Sequence, residues 1–265
     1  MIEHYIPTVI HALETASKKI MEIYNKDFEV NLKDDNSPVT EADIASNIIL
    51  TEQLSTLNIP ILSEESIKPN FNDRKTKPLI WLVDPLDGTR EFIKKNDQFC
   101  ICIALVENGK PILGFIASPT SKTILFGGIS IGAFEIPFGI KNYLASKWKI
   151  SKPIPKAKKV LIRSNSPIST DTAQVIYKVE QSVGKLSQLN MGSALKFFDL
   201  LNGKADFYLR LAPTMEWDIA AGQAIYETIG GEILNIETKE VLHYNKKNLT
   251  NPYFFAKLKS IKLNF

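Results

Sequence analysis

The stretch IWLVDPLDGTREFI, residues 80 to 93, limits the possible folds more than any other part of the sequence. Its apolar run predicts a buried strand, yet the run ends in Asp84, and a second carboxylate, Asp87, follows three residues later. Pro85 and Gly88 favour a tight turn that points both side chains the same way. Two carboxylates aimed at one point repel each other unless a positive charge lies between them. The fold must therefore supply positive charge at this strand end.

Other predicted elements also carry acid at an end. Asp43 lies at the start of a predicted helix with Thr40 as its N-cap, Glu64 and Glu65 end a short strand, and Asp218 lies in the first turn of a later helix. Carboxylates are typical ligands of Mg²⁺, and the expectation that no His or Cys lies near these acids argues against zinc. A helix-dipole role is the alternative for Asp43 and Asp218, and a solvated or supporting role is expected for Glu65.

A phosphate site is predicted beside these acids. Thr89 follows Gly88 at the start of a short predicted helix, TREFIKK. Exposed N–H groups at such a start can hold phosphate oxygens. Because acids tolerate a neighbouring phosphate only when cations separate them, the missing positive charge is most economically supplied by metal.

The rest of the chain predicts a mixed α/β fold in two parts. Residues 1–140 are predicted to be helices followed by an antiparallel sheet with a hairpin at Asn108-Gly109, and this part carries most of the acids. Lys, Pro and Ser are frequent in residues 141–159, which predicts a boundary. Residues 141–265 alternate strand and helix, as in an α/β domain. One of these helices is predicted to be capped by Ser193 and closed by Gly203.

Composition excludes several classes of function. A net charge of +3 is too weak to indicate nucleic acid, and it suits an anionic small substrate. Cys100 and Cys102 point to the same face of one strand, where small buried hydrophobes are expected rather than a redox or metal pair. A reducing, cytoplasmic location is therefore expected, and neither a signal peptide nor a membrane span is predicted.

The motifs together resemble those of a known family. WLVDPLDGTREFI, with PVTEAD, SEES and EWDIAAG in the same order and spacing, is similar to the inositol monophosphatase superfamily from about residue 37 to residue 232. The resemblance implies a layered αβαβα fold and a lithium-sensitive phosphatase that uses two or three Mg²⁺ ions.

The resemblance also implies roles for individual residues. Glu64, Asp84 and the Leu86 carbonyl would hold the first metal. Asp84, Asp87 and Asp218 would hold the second, and a third, looser Mg²⁺ would use Glu64. The catalytic residues would be Asp43, Thr89 and Glu64, the first two orienting and deprotonating the attacking water. The backbone N–H groups of Gly88 and Thr89 would hold the phosphate.

The second half resembles the branch that acts on 3′-phosphoadenosine 5′-phosphate. GSALKFFDLLNGKADFYLRLAPTMEWD places Lys196 and Arg210 where that branch has cations near the nucleotide, although a solvated helix face and a surface strand are the alternatives. Leu211 stands where inositol-cleaving members have a glutamate. The remaining substrate-binding candidates are Ser164, Asn165, Gly192 and Ser193.

The implied function is a Mg²⁺-dependent 3′(2′),5′-bisphosphate nucleotidase that clears a by-product of sulfate activation. An inositol or sugar phosphatase of the same fold is the nearest alternative. An inactive nucleotide-binding or interaction protein is the alternative from another class. The expected partner is a small phosphorylated nucleotide, without nucleic acid or membrane, and the chain is expected to be a monomer or a homodimer.

Overall fold

The computed structural model describes residues 2–33, 37–151, 153 and 158–263. Its α-helices are α1 Ile6–Tyr24, α2 Glu41–Ser55, α3 Phe71–Arg74, α4 Thr89–Ile93, α5 Thr170–Val183, α6 Lys196–Leu201 and α7 Glu216–Thr228. Its strands are β1 Val30–Leu32, β2 Pro38–Thr40, β3 Ile61–Ser63, β4 Leu79–Asp87, β5 Cys100–Glu107, β6 Lys110–Ser118, β7 Thr123–Gly128, β8 Gly132–Pro137, β9 Val160–Arg163, β10 Ser187–Asn190, β11 Phe207–Arg210, β12 Gly231–Asn235 and β13 Phe254–Leu258.

The first large sheet has six strands in the order β3-β4-β5-β6-β7-β8. Only the β3–β4 pair is parallel among these strands, and the others are antiparallel, as predicted. Asn108 and Gly109 both have positive φ, which a type I′ hairpin turn requires, so the predicted turn is confirmed.

Both faces of this sheet are buried, which explains why its strands are apolar without alternation. Trp81 and Val83 of β4 face α1 and α2 in one core cluster. Ile80 and Leu82 face the opposite way, into a second cluster shared with α7. The acids at the end of β4 therefore lie where the strands end, in a sheet that is covered on both faces.

The second large sheet has five strands in the order β10-β9-β11-β13-β12. Its β9–β10 and β9–β11 pairs are parallel, and its β11–β13 and β12–β13 pairs are antiparallel. One face joins the cluster around α6 and α7, and the other packs against α5. The layers thus follow the predicted αβαβα order, which is helices α1 and α2, the first sheet, α6 and α7, the second sheet and α5.

Three local features differ from the sequence prediction. The helix expected to be capped by Ser193 begins only at Lys196, because Ser193 has φ +49° and its Oγ accepts the Leu195 N–H instead. The short ribbon β1–β2 and the polar strand β10 were not predicted, since neither has an apolar periodicity.

The division near residue 140 stays a prediction. Residues 152 and 154–157 of the predicted boundary lie outside the described residues, and one core cluster contains side chains from both halves. Among the helices that the structure describes, none combines the length and the apolar character needed to cross a membrane.

Candidate active site

Three of the predicted metal ligands converge. One carboxylate oxygen from each of Glu64, Asp84 and Asp218 lies within 4.8 Å of the others. Glu64 follows β3, Asp84 lies in β4, and Asp218 lies in the first turn of α7, so three separate elements contribute one acid each. The arrangement brings like charges together in the manner that the sequence predicts.

Burial and mutual repulsion raise the pKa values of two of these converging carboxyl groups. Burial raises the pKa of Asp84 well above its usual range, and repulsion from Glu64 and Asp87 raises it further. Burial likewise raises the pKa of Asp218, with Asp87 and Glu64 adding to the shift. An all-oxygen donor set of this charge fits hard divalent cations such as Mg²⁺, which would remove the repulsion.

Glu64 is oriented by two donors that the sequence analysis did not identify. The Trp217 indole Nε1 donates to Glu64 Oε2 at 3.0 Å, and Lys33 Nζ donates to Glu64 Oε1 at 2.9 Å. Lys33 also pairs with Glu65, whose side chain is 7% exposed and therefore not solvated. Burial alone lowers the pKa of Lys33, but both glutamates outweigh burial and raise it.

Asp43 and Thr89 form a hydrogen-bonded pair. Thr89 Oγ1 donates to Asp43 Oδ1 at 2.9 Å, while the N–H and the hydroxyl of Thr40 donate to Asp43 Oδ2 at 2.8 and 2.6 Å. The predicted helix cap is thus confirmed, and the same carboxylate serves a second partner. Burial raises the pKa of Asp43, although these hydrogen bonds oppose the shift.

The turn after β4 is fixed by its backbone. The Leu86 N–H donates to Asp84 Oδ1 at 3.0 Å, and Ser46 Oγ donates to the Pro85 carbonyl at 2.7 Å. Gly88 has φ +100°, and a Cβ there would meet the Gln98 carbonyl oxygen at 2.8 Å. Glycine is therefore required for the chain to enter α4 at Thr89.

Asp87 lies in a different environment from the other acids. Its Oδ2 accepts the Ala194 N–H, and the Cys100 thiol lies 3.7 Å from the same oxygen. Asp87, Cys100 and Cys102 form a second group whose ligand atoms lie within 4.8 Å of one another. The expectation that no Cys lies near the acids is wrong, because strand pairing places Cys100 opposite Asp87.

A cleft of about 380 Å³ extends from this acidic region. Most of the sequence-predicted binding residues line it, together with two exposed cations that were not predicted, Arg90 on α4 and Lys94 directly after it. The predicted residues among the lining are Asp87, Gly88, Ser164, Asn165, Gly192, Ser193, Lys196, Arg210 and Asp218.

Lys196 is buried in the cleft wall and does not lie on a solvated helix face. Its side chain is directed at the Met191 carbonyl, 3.2 Å away, and at the Ser193 carbonyl, and it lies 5.1 Å from the centre of the Tyr208 ring. Burial lowers the pKa of Lys196 to about 8, with Asp87 opposing the shift. Lys196 thus holds the loop at Ser193 and adds positive charge to the cleft.

Arg210 has unused hydrogen-bonding capacity. Its Nη2 donates to the Pro213 carbonyl at 3.3 Å, while its buried Nε has no partner among the described residues. A buried donor without a partner is costly unless a ligand satisfies it. Since the residue lines the cleft, an anionic ligand is the partner of suitable chemistry.

Gln98 connects two of the lining loops and was not predicted. Its Oε1 accepts the Gly192 N–H at 2.7 Å and the Asn165 Nδ2 at 3.1 Å. A Cβ at Gly192 would meet Glu91 Cγ at 2.7 Å, so a larger residue there would displace the Glu91 side chain. No local sequence signal marks Gln98, because both of its partners are distant in the chain.

Known proteins are similar to this chain over most of its length. The sequence profile described as the inositol monophosphatase family matches residues 1–259. The 3′(2′),5′-bisphosphate nucleotidase CysQ of Salmonella typhimurium is 34% identical, over 93% of this chain and 96% of that protein. The crystal structure of CysQ from Bacteroides thetaiotaomicron has a TM-score of 0.84 at 34% identity, covering 95% of this chain and 96% of that chain.

A more distant solved structure supports the fold alone. It is an IMPase/NADP phosphatase complexed with Mg²⁺ and phosphate, with a TM-score of 0.73 at 20% identity. The match covers 98% of this chain and 91% of that chain.

Proposed function

Because the chain belongs to the inositol monophosphatase family, we propose that it is a Mg²⁺-dependent 3′(2′),5′-bisphosphate nucleotidase that hydrolyses 3′-phosphoadenosine 5′-phosphate to AMP and phosphate. The observation that carries the proposal is one cleft with an acid cluster at one end and the partnerless Nε of Arg210 in its wall. Such a cleft suits a substrate with two phosphates, of which one is cleaved and the other only bound.

The acids provide a fitting site for the metal. Glu64, Asp84 and Asp218 would hold Mg²⁺ with their carboxylates, and Asp87 and the Leu86 carbonyl would complete the set for two or three ions. When bound, the ions lower the pKa of water and neutralise charge on the phosphate oxygens. The metal-binding roles rest on the buried, mutually repelling carboxylates described above.

The chain's own residues position and deprotonate the nucleophile. Thr89 Oγ1 donates to Asp43, so its lone pairs are free to accept a proton from water held nearby. Asp43 fixes the direction of that hydroxyl and favours the transfer of a proton toward the pair. Glu64 joins them as the third proposed catalytic residue, and the N–H groups of Gly88 and Thr89 hold the phosphate.

The cations and polar groups of the cleft wall bind the rest of the nucleotide. Arg210 donates to the phosphate that is not cleaved, and Lys196 supports it electrostatically while holding the loop of Gly192 and Ser193. Ser164 and Asn165 offer hydroxyl and amide groups to the sugar or base. A cytoplasmic location and a monomer or homodimer remain predictions.

Arg210→Ala is expected to raise the KM for the bisphosphate nucleotide about 10- to 100-fold, the range of one charge-assisted hydrogen bond. A nucleotide 3′-monophosphate lacks the second phosphate, so its KM is expected to change little. Steady-state kinetics on both substrates make the comparison, and Arg210→Lys tests charge without the guanidinium geometry. An equal loss on both substrates would contradict the assignment.

Gln98→Ala is expected to lower kcat/KM about tenfold, because the Gly192 N–H and the Asn165 amide lose their common acceptor. Gln188→Ala is the matched control, since Gln188 is exposed and, within the described part of the chain, its Oε1 accepts from Arg163 alone. If kcat/KM falls equally in the two variants, Gln98 does not have the proposed positioning role.

The activity is tested by a phosphate-release panel run with and without added Mg²⁺. The bisphosphate nucleotide is expected to be hydrolysed far faster than inositol 1-phosphate. Leu211, at the position where a glutamate would bind sugar hydroxyls, packs against the cluster around α5 rather than lining the cleft. Preferred hydrolysis of inositol 1-phosphate would replace the proposal by the sugar-phosphatase alternative, and no release from any ester would favour the inactive nucleotide-binding alternative.

A further inference from the structure

Two thiols lie behind the wall of the cleft, next to Asp87. Cys100 and Cys102 are fully buried on one face of β5, and their sulfur atoms are 3.9 Å apart. Cys100 Sγ lies 3.7 Å from Asp87 Oδ2. The three ligand atoms all lie within 4.8 Å of one another, although their residues come from two strands.

Strand register creates this group. In the β4–β5 pair, Asp84 lies opposite Cys102, and an irregularity then brings Asp87 opposite Cys100. Without the extra residue, the Asp87 side chain would fall on the other face of the sheet. The bulge therefore positions a carboxylate and two thiols on one face, where the cleft meets the core.

The two spacings that involve Cys100 match edges of a tetrahedral thiophilic metal site, and the third pair of ligand atoms lies within 4.8 Å. Zn–S bonds of about 2.3 Å and Zn–O bonds of about 2.1 Å in a tetrahedron imply sulfur–sulfur and sulfur–oxygen edges of about 3.8 and 3.6 Å. The observed 3.9 Å and 3.7 Å agree with those edges. The ligand atoms can therefore bind a small soft cation with little movement of Cys100 relative to its two neighbours.

We propose that Asp87, Cys100 and Cys102 bind one thiophilic divalent cation of the Zn²⁺ or Cd²⁺ class. Two metal–sulfur bonds and one metal–oxygen bond form, and each thiol releases its proton to solvent. A water or a cleft ligand completes the coordination. The bound ion withholds Asp87 from the Mg²⁺ site, so it inhibits the enzyme.

The charges around the group favour an occupied state. Lys196 lies close enough to interact with both Asp87 and Cys100. Two thiolates, one carboxylate and one divalent cation carry a net charge of −1, which a protonated Lys196 balances. Such neutrality matters because the sulfur atoms are shielded from water.

The new site differs chemically from the neighbouring acid cluster. Glu64, Asp84 and Asp218 offer only oxygen, which suits Mg²⁺, whereas sulfur ligands select softer ions. Excess Mg²⁺ is therefore expected to leave the thiol group unoccupied. The two sites share the region of Asp87, which is why occupation of one affects the other.

The binding test uses the full chain without metal, titrated with Cd²⁺ under reducing, non-thiol conditions. We expect an ultraviolet thiolate-to-cadmium charge-transfer band that saturates at one ion per chain in the presence of excess Mg²⁺. Cys100→Ala with Cys102→Ala is the matched variant, and it removes every thiol of this sequence. A wild-type protein without such a band overturns the proposal, whether or not the variant folds.

The inhibition test rests on the proposed function and is evaluated separately. Phosphate release is measured against Cd²⁺ at fixed Mg²⁺, with each protein normalised to its own rate without Cd²⁺. The double variant is expected to need at least about tenfold more Cd²⁺ for half inhibition, as the loss of direct ligands requires. Equal sensitivity of both proteins to Cd²⁺ overturns the inhibitory role. If the protein is inactive on every ester, the proposed function is wrong, and the binding test is unaffected.

Discussion

Asp84→Asn is expected to lower the rate of phosphate release by about a thousandfold or more. Asp84 is central to the acid cluster, and the loss of its charge weakens the binding of the ions. Bound ions supply several kcal/mol of transition-state stabilisation. Asparagine keeps the oxygen that accepts the Leu86 N–H, so the turn after β4 is expected to persist. The measurement is single-turnover phosphate release over a range of Mg²⁺ concentrations.

Glu135→Gln is a suitable control for that experiment. Glu135 lies on β8 and its Oε2 accepts from Asn202, away from the residues that line the cleft. Its variant is expected to keep the wild-type rate. If Asp84→Asn hydrolyses the substrate as fast as Glu135→Gln, the proposed role of Asp84 as a metal ligand is wrong.

Thr89→Ala is expected to lower kcat about 100- to 10,000-fold, the range of general acid–base catalysis. The variant removes the hydroxyl that donates to Asp43, while the backbone N–H that we propose holds the phosphate remains. The KM is therefore expected to change much less than kcat. Steady-state kinetics with the bisphosphate nucleotide measure the two constants.

Thr89→Ser tests whether the hydroxyl carries this effect. Serine keeps the donor to Asp43, so a large part of the activity is expected to return. A serine variant as slow as the alanine variant would assign the loss to packing of the methyl group, and the proposed proton path through Asp43 would then be wrong.

Several site residues could be predicted from the sequence because they belong to short local motifs. Asp84 ends an apolar run, Gly88 marks a turn with positive φ, and Asp43 follows its own N-cap. Local propensities of this kind survive in the fold, since each depends on neighbours within a few residues. Their convergence followed from the resemblance to a family.

The remaining site residues depend on contacts between distant segments. Lys33 meets Glu64 across 31 positions, and Gln98 meets Gly192 across 94. The position of Cys100 beside Asp87 depends on one bulge in the β4–β5 register, which period-two alternation does not reveal. A lysine in a predicted helix is expected to face solvent, and only tertiary packing buries Lys196.

We propose that these buried carboxylates are tolerated because divalent cations lie among them. Thermal unfolding of the wild type and of Asp84→Asn, each with a chelator and with Mg²⁺ plus inorganic phosphate, tests it most directly. We expect the variant to be the more stable protein with chelator, since one repelling charge is gone, and the less stable one with Mg²⁺ and phosphate. If the wild type gains no stability from Mg²⁺ and phosphate, or if the variant gains as much, cations are not what stabilises the carboxylates.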